Sequence, residues 1–441
     1  MKRLTLALWI ILFVSSSAIA GGWDGVKEYV LDNGLKVLML EEHKAPVATF
    51  QIWYRVGSRN ERPGNTGMSH LLEHMMFKGS KKYGPKTFSQ TVQRNGGNDN
   101  AFTSKDYTAY FETFSSDRIW LSLDLESDRM RGLLFDPKEF SSERDVVKEE
   151  RRLNHEDDPE SAMFEKMMEV SFLNHPYRIP TIGWMNDLTN MRLEDLKAHY
   201  DSYYTPNNAT IVVVGDFDSV KMLSEIKKYF ESIPKGTEPP KVTVVEPEQK
   251  GERRLYLKKE AELPVIVAGY HLPNLTHQDS YPLSVLELIL SAGKSSRLYK
   301  SLVYEKQMAL YAGGDYSMVS TDPNMFYLYA ASMPGRPIEE VEKALYDEIE
   351  MFKKEPVSEK ELAKAKNQIE ASFILGQDSN FNRAMLLGQY ETVASWKLLD
   401  KYLDGIRNVK GEDIMRVAKE YFTEDNRTVG VLVPQKPEEK K

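Results

Sequence analysis

The chain contains no cysteine among its 441 residues. Disulfide bonds, a cysteine nucleophile and a lipid-modified N-terminal cysteine are therefore excluded, and stability must come from ordinary hydrophobic cores. A Gly-x-Ser-x-Gly turn that would indicate a serine hydrolase is also missing from the sequence. Positive charge is in deficit, with 58 Lys and Arg against 66 Asp and Glu. This acidic balance argues against a nucleic-acid partner.

Long apolar runs are missing beyond the N-terminus. Residues 1–20 carry Lys2-Arg3, then an apolar run, then small residues with an Ala-x-Ala end before Gly21. This pattern predicts a secretory signal peptide that is removed on export. The apolar run is shorter than the roughly 20 residues that span a bilayer, so an uncleaved anchor is only the alternative interpretation. We expect a periplasmic or fully secreted protein without a membrane span after cleavage.

One pentapeptide, His70-Leu71-Leu72-Glu73-His74, carries the strongest chemical signal. Histidines four positions apart lie one turn apart on a helix face, where both rings can bind one small cation. Glu73 flanks that face and can act as a general base toward water. The order inverts the familiar His-Glu-x-x-His zinc motif. Flanking apolar residues predict a buried helix capped by Asn65-Thr66, in which paired core histidines without metal are the alternative.

A third protein ligand is expected elsewhere, because catalytic zinc sites commonly use three and leave one position open. The best candidate is the acidic stretch 141–150, in which Ser141 or Ser142 can cap a helix. Glu143 and Glu150 are seven residues apart and fall on nearly one helix face, so either can supply the ligand. The alternative interpretation of this stretch is an ordinary solvated charged helix.

These blocks together resemble the pitrilysin family of inverzincin peptidases, which includes insulin-degrading enzyme and the mitochondrial processing peptidase. The likeness covers nearly the whole chain after residue 20. It rests on residues 67–79, on the Glu-Arg-x-Val-Val-x-Glu-Glu run at 143–150, and on residues 96–104. The resemblance implies that Glu150 is the third zinc ligand beside His70 and His74. It also implies that Glu143 supports the site from outside the ligand set.

The resemblance also implies how peptides bind. Residues 96–104 look like the family's edge strand, which pairs with the substrate backbone as an added β-strand. Phe77 directly follows the zinc helix and is a candidate wall of a substrate pocket, with simple core packing as the alternative. The expected substrate-binding residues are Phe77, Asn98, Asn100, Ala101, Phe102 and Thr103.

The ligand set predicts a mechanism of peptide hydrolysis without a covalent intermediate. Zinc in such a site lowers the pKa of water to about 7 and polarises the scissile carbonyl. Glu73 is expected to take the proton of the attacking water and to return it to the leaving amine. Ligand sets of two histidines and one glutamate favour zinc, with manganese and cobalt as alternatives.

Composition divides the chain into two halves, because the segment after residue 233 is proline-rich, charged and aperiodic. Asn190 to Val213 matches Asn408 to Val431 at a constant offset of 218, which indicates an internal repeat. We expect a signal peptide at 1–20, a catalytic zinc-binding domain at 21–235, a hinge linker at 236–252, a homologous domain without metal at 253–436, and a charged tail at 437–441.

The zinc helix is repeated in the second half without its chemistry. When Glu73 is aligned with Glu287, Ser284 and Leu288 stand where the two histidines would be. We therefore expect one zinc per chain, in the first half.

Local patterns predict an α+β fold with the domain repeated twice. A hairpin is expected across residues 29–39, and strands at 47–56, 107–114 and 210–214, with helices between them. The family resemblance implies α/β-roll domains, a clamshell arrangement of which this chain forms half, and a chamber that admits peptides. The linker at 236–252 is the expected hinge.

One departure from the family pattern lies in the second half. Family members that act as single chains or symmetric assemblies carry an Arg and a Tyr there that bind the substrate and stabilise the oxyanion, but this chain has Val303 and Leu310 at those positions. Tyr311 fits only with a one-residue slip, and Arg297 with Tyr304 has the right spacing in the wrong register. We expect a heterodimer with a homologous non-zinc subunit, or otherwise a homodimer. A non-catalytic structural or peptide-binding homologue is the alternative.

Overall fold

The structure is a computed structural model that describes residues 22–435. The expected signal peptide at 1–20 and most of the chain end, including the charged tail at 437–441, lie outside the described residues. The described strands form two sheets: β1 Lys27–Val30, β2 Lys36–Glu41, β3 Val47–Tyr54, β4 Asn98–Thr103, β5 Thr108–Ser115, β6 Ala209–Gly215, β7 Arg253–Glu260, β8 Val265–Leu272, β9 Ala309–Tyr316, β10 Asn324–Ser332 and β11 Arg427–Gln435.

Helices connect the strands in both halves, and π-helical turns follow at Arg152–Glu156 and Tyr299–Glu305. Among residues 22–435, no helix combines the length and the apolar character needed to cross a membrane. The α-helices are α1 Met68–Met75, α2 Thr87–Arg94, α3 Trp120–Gly132, α4 Pro137–Arg151, α5 Pro159–Ser171, α6 Met185–Asn190, α7 Leu193–Tyr203, α8 Ser219–Phe230, α9 Ser280–Ser291, α10 Ile338–Lys354, α11 Glu359–Gly376, α12 Asn380–Val393, α13 Leu399–Asn408 and α14 Gly411–Tyr421.

The first sheet has six strands in the order β1-β2-β6-β3-β5-β4. Only β2 and β6 run parallel, and the other neighbours are antiparallel. All seven residues of β6 are buried, because its β-branched run lies centrally and is covered on both faces. The expected hairpin is confirmed, since β1 pairs with β2 from Val30 opposite Lys36. The strands expected at 47–56, 107–114 and 210–214 are confirmed as β3, β5 and β6.

The second sheet repeats the first without a counterpart of β1. Its order is β7-β11-β8-β10-β9, with β7 and β11 parallel and the rest antiparallel. The strands β2 to β6 and β7 to β11 therefore occupy the same places in the two halves. The α+β class and the duplicated domain predicted from the sequence are confirmed.

In each half, one helix packs on the sheet of the other half, and these two helices occupy equivalent positions in the repeat. Helix α5 of the first half packs on β7, β8 and β11, where Gly269 and Gly430 leave room for Met167 and Met163. Helix α12 of the second half packs on β3 and β6, where Gly388 lies against the Trp53 ring. The exchange merges side chains of both halves into shared cores. The two halves are therefore held as one body by apolar packing.

The linker between the halves is irregular from residue 234 to residue 250, as its composition predicts. It is nevertheless tied down: the Glu246 carboxylate accepts hydrogen bonds from the backbone N–H groups of residues 173–175 at 2.8 to 2.9 Å. The Gln249 amide donates to the Arg427 carbonyl at 2.7 Å. Outside the linker, Asp322 in the loop between β9 and β10 contacts His175 at 3.0 Å and so joins the two halves directly. Hinge motion about the linker would have to break these contacts, and its role as a hinge stays a prediction.

The exchanged helix α12 offers a direct test of this shared packing. A Cβ at Gly388 would lie 2.1 Å from Trp53 Cε2, so Gly388→Ala must displace a fully buried ring. We expect a loss of about 1–3 kcal/mol in the free energy of unfolding, measured by urea denaturation. Gly376→Ala, at the end of α11 with nothing within 4 Å, is the matched control and should be neutral or slightly stabilising. Equal stability of the Gly388→Ala variant and the unmodified chain would contradict the packing described.

Candidate active site

Helix α1 places the pentapeptide beside the first sheet. Its apolar positions, Leu71, Leu72 and Met75, are fully buried, while His70 and Glu73 are partly accessible on another side. The helix begins at Met68 after Gly67, which adopts φ of 83° and has no capping side chain. The prediction that Asn65 or Thr66 caps the helix is therefore wrong, because Gly67 occupies the N-cap position.

A buried carboxylate takes the place of the expected cap. Glu61 accepts hydrogen bonds from the backbone N–H groups of Gly67 and Ser69, both at 2.7 Å. Asp187 accepts from Thr66 N at 3.2 Å and from its hydroxyl at 2.8 Å. Burial raises the pKa of Glu61 to about 7, and the two N–H donors oppose that rise. Negative charge at a helix N-terminus is favourable, so both carboxylates fix where α1 begins.

Helix α4 carries the second acidic group to the same place. It begins at Pro137 with Asp136 as its cap, earlier than the cap expected at Ser141 or Ser142. Glu143 is buried and Glu150 is partly exposed, and both point toward α1. The prediction of a merely solvated charged helix is wrong for this face of α4.

His70, His74 and Glu150 converge at one point. One ligand atom from each lies within 4.8 Å of the others. The Glu150 carboxylate is 4.0 Å from His70 Nε2 and 3.7 Å from His74 Nε2. These separations suit three atoms that surround a small cation rather than hydrogen-bond one another. No other group of this kind occurs within residues 22–435.

The other nitrogen of His74 is held from behind. Glu143 Oε2 accepts from His74 Nδ1 at 3.2 Å, and Glu143 Oε1 accepts from Lys78 Nζ at 2.7 Å. A carboxylate on the far nitrogen fixes the ring and leaves Nε2 unprotonated toward the cluster. Lys78 compensates the charge of Glu143, whose side chain is largely buried. His70 Nδ1 is buried without a hydrogen-bond partner among the described residues.

Burial shifts the pKa values of His70 and Glu73 in opposite directions. It lowers the pKa of His70 to about 3, with His74 and His155 adding to the effect, so the ring is neutral at physiological pH. A neutral imidazole is the form that binds metal. Burial also raises the pKa of Glu73, while the Thr103 hydroxyl that donates to it works in the opposite direction. A raised pKa moves a carboxylate toward the range useful for a general base.

Strand β4 lies at the edge of the first sheet, and among the described strands it pairs only with β5. Asn98 and Asn100 are exposed, whereas Ala101, Phe102 and Thr103 are half-buried. Phe102 packs edge-on against Trp53 at a centroid distance of 5.4 Å. An open strand edge beside Glu73 is the geometry that an added peptide strand requires.

Phe77 belongs to an aromatic cluster rather than to an open pocket wall. Its ring is 5.9 Å from that of Phe88, and both lie against the buried Arg129 guanidinium. Arg129 is in turn bound by Glu126. These contacts match the core-packing interpretation, although the ring remains half-buried.

A cavity of about 570 Å³ opens between α5 and the second sheet. Its walls are mainly apolar and aromatic, and His155, five residues beyond Glu150, lines it. Acidic groups including Asp158, Glu160 and Asp315 line it as well. His70, His74 and Glu150 are not among its lining residues, so His155, just beyond the end of α4, is the residue that relates the cavity to the cluster.

In the second half, the residues described up to 435 form no equivalent site. Ser284 donates to the Ser280 carbonyl within α9, and Glu287 is partly buried with its pKa raised by burial to about 7. Among the residues with oxyanion potential, Arg297 is paired with Glu361, and Tyr304 is exposed on the surface. Leu310 is also exposed, whereas Tyr311 lines the cavity.

Two contributors to the site were not predicted from the sequence: Glu61 and Lys78. Glu61 precedes its helix by seven residues, which no capping pattern describes, and Lys78 is recognisable only once α4 is known to pack on α1. His155 and His199 are indistinguishable in sequence from ordinary histidines. The one sequence feature that points to this role of Glu61 is an acidic residue shortly before a helix that is preceded by glycine.

Within the described residues, this duplicated α+β fold brings two histidines and two glutamates of one half together, which is the donor set of a transition-metal site. Residues 36–183 match the family described as Insulinase (Peptidase family M16), and residues 190–369 match Peptidase M16 inactive domain. The chain belongs to peptidase family M16, which confirms the resemblance seen in the motifs.

Similar proteins support this assignment along nearly the whole chain. The zinc protease PqqE of Helicobacter pylori is 35% identical over 92% of both chains. The uncharacterized zinc protease YmxG of Bacillus subtilis is 28% identical over 91% of this chain and 96% of its own. A crystal structure of a protease from Helicobacter pylori superposes with a TM-score of 0.90 at 34% identity, covering 93% of this chain and 99% of that one.

The packing around α1 predicts acid sensitivity of the metal-free protein. His199 is buried beside Ser69, with its Nε2 3.1 Å from the hydroxyl, and burial lowers its pKa to about 3. Unfolded histidine takes up a proton near pH 6.5, so the unfolded state binds more protons below that pH and stability falls as pH falls. The contribution of His199 at pH 5 is about 2 kcal/mol less than at pH 7.5.

The measurement is urea denaturation of the chelator-treated protein at both pH values. His199→Gln should reduce the difference in unfolding free energy by that amount, and His277→Gln, which removes a half-exposed ring, should leave it unchanged. An unchanged pH dependence in His199→Gln would count against a neutral buried ring.

Proposed function

We propose that the protein is a zinc metalloendopeptidase that hydrolyses peptides or unfolded polypeptides by activating water. The observation that carries the proposal is the convergence of His70, His74 and Glu150 on one point, with Glu73 one helical position from His74. Two imidazoles and one carboxylate match a catalytic zinc ligand set, which leaves a position for water or substrate. Relatives called zinc proteases support the choice of metal.

Different residues would bind the metal ion and transfer the proton. His70, His74 and Glu150 would hold one Zn²⁺, and Glu143 with Lys78 orients His74. When bound, the ion supplies Lewis acidity toward the scissile carbonyl and water. Glu73 accepts the proton of the attacking water and delivers it to the leaving amine. Its partial burial, which raises its pKa, supports this role.

The open edge of β4 is proposed to receive the substrate as an extended strand, because its backbone groups are unpaired on that side. Asn98, Asn100, Ala101 and Phe102 would line the path of the peptide. The cavity lined by His155 and Tyr311 would give room for a substrate side chain. Unfolded or short peptides suit this mode, since a folded protein cannot offer a free strand.

A second homologous subunit is proposed to complete the oxyanion site. The side chains of Val303 and Leu310 cannot donate hydrogen bonds, and the Arg297 guanidinium is paired with Glu361. Loss of an oxyanion donor costs roughly 10²-fold or more in rate, so a partner that contributes Arg and Tyr would restore activity. A homodimer is the alternative assembly. Export by the signal peptide would place both subunits in the periplasm or outside the cell.

The support given to His74 by Glu143 predicts metal affinity. Glu143→Gln removes the negative charge that holds the ring, so zinc affinity should fall about 10–100-fold by competition with a chromogenic chelator. Glu149→Gln on the same helix, whose carboxylate is exposed and faces Arg152, is the matched control and should bind as the unmodified chain does. Equal affinities in both variants would show that Glu143 does not support the ligand.

The role of Glu73 predicts activity. Glu73→Gln should retain one zinc per chain yet lose about 10²-fold or more of peptide hydrolysis, measured with a quenched fluorescent peptide. Glu287→Gln, the equivalent position in the second half, is the matched control and should leave the rate unchanged. Each protein is assayed alone and with a homologous subunit of similar length that lacks the histidine motif and carries the Arg and Tyr.

Chelation should abolish hydrolysis, and zinc should restore it. Hydrolysis that survives Glu73→Gln would refute the mechanism. Full activity of the chain alone would refute the need for a second subunit, and no activity in any combination would favour a peptide-binding role.

A further inference from the structure

Thr103 ends the edge strand β4 directly beside the proposed general base. Its hydroxyl donates a hydrogen bond to Glu73 Oε2 at 2.5 Å. The two residues are 30 positions apart in sequence, so the contact depends on α1 packing against β4. The family resemblance assigns Thr103 to substrate binding, whereas this contact gives its side chain a different partner.

Within the described residues, no other group donates a hydrogen bond to the Glu73 carboxylate. Two tyrosines that lie nearby, Tyr110 and Tyr204, are hydrogen-bonded to each other at 2.7 Å. Glu73 lies on the last turns of a helix only eight residues long, and its side chain has several rotatable bonds. One directed hydrogen bond therefore restricts the position of the carboxylate.

We propose that Thr103 is a positioning residue that holds Glu73 in the orientation for proton transfer. The inference rests on the proposed function. Binding of Oε2 by the hydroxyl leaves Oε1 free to accept the proton of water. Because Thr103 belongs to the strand on which the peptide is proposed to lie, substrate pairing and base orientation share one rigid element.

The test compares Thr103→Val, which keeps the shape and removes the donor, with Thr103→Ser, which keeps the donor. Thr103→Val should lower kcat about tenfold or more with KM within about twofold, because a misplaced base slows the chemical step. Thr103→Ser should recover most of the lost kcat. Thr113→Val, which removes a hydroxyl bonded to Thr49 on the neighbouring strand, is the matched control and should leave both parameters unchanged.

Two kinetic results would overturn the proposal. One is an unchanged kcat with a raised KM in Thr103→Val, which would make Thr103 a substrate contact. The other is a Thr103→Ser variant as slow as Thr103→Val, which would indicate a packing role.

A crystal structure of each variant separates this inference from the proposed function. The Glu73 carboxylate should keep its place in Thr103→Ser and move or occupy several positions in Thr103→Val. An unmoved carboxylate in Thr103→Val would refute the positioning role even if the unmodified protein hydrolysed no peptide. Absence of zinc-dependent hydrolysis in the unmodified protein would refute the proposed function alone.

Discussion

Burial of ionisable groups along α1 is the constraint on which the rest of the site depends. The same desolvation keeps His70 neutral and raises the pKa of Glu73, so one cause produces a metal-binding imidazole and a stronger base. That burial is costly, and the surrounding structure compensates it with directed partners. Glu61 fixes the start of the helix, Glu143 fixes His74, and Thr103 contacts Glu73.

The duplicated fold holds the candidate site in a rigid framework. Each sheet is covered on one face by a helix from the opposite half, so α5 and α12 tie the two domains together. The cavity beside His155 exists because α5 crosses to the second sheet. The second half thus contributes packing and cavity walls. It has Ser284 and Leu288 where the first half has its two histidines, so it lacks these metal ligands.

Much of this architecture could be predicted from the sequence, because it depends on local patterns. The helical spacing of apolar residues predicts α1, and β-branched runs predict the central strands. The repeat at an offset of 218 predicts the duplicated domain. The choice of Glu150 over Glu143 needed the family resemblance, since both lie on one helix face. Contacts between distant segments could not be predicted: Glu61 replaces the expected cap, Lys78 meets Glu143, and the helix exchange leaves no periodic signal.

We propose that His70, His74 and Glu150 together hold one metal ion. An anomalous-difference map of crystals of the zinc-loaded protein, collected on both sides of the zinc absorption edge, tests this proposal. We expect one peak per chain, bonded to both histidines and to Glu150, with Glu73 outside bonding distance. A peak elsewhere, a peak bonded to Glu73, or no peak at this cluster would contradict it.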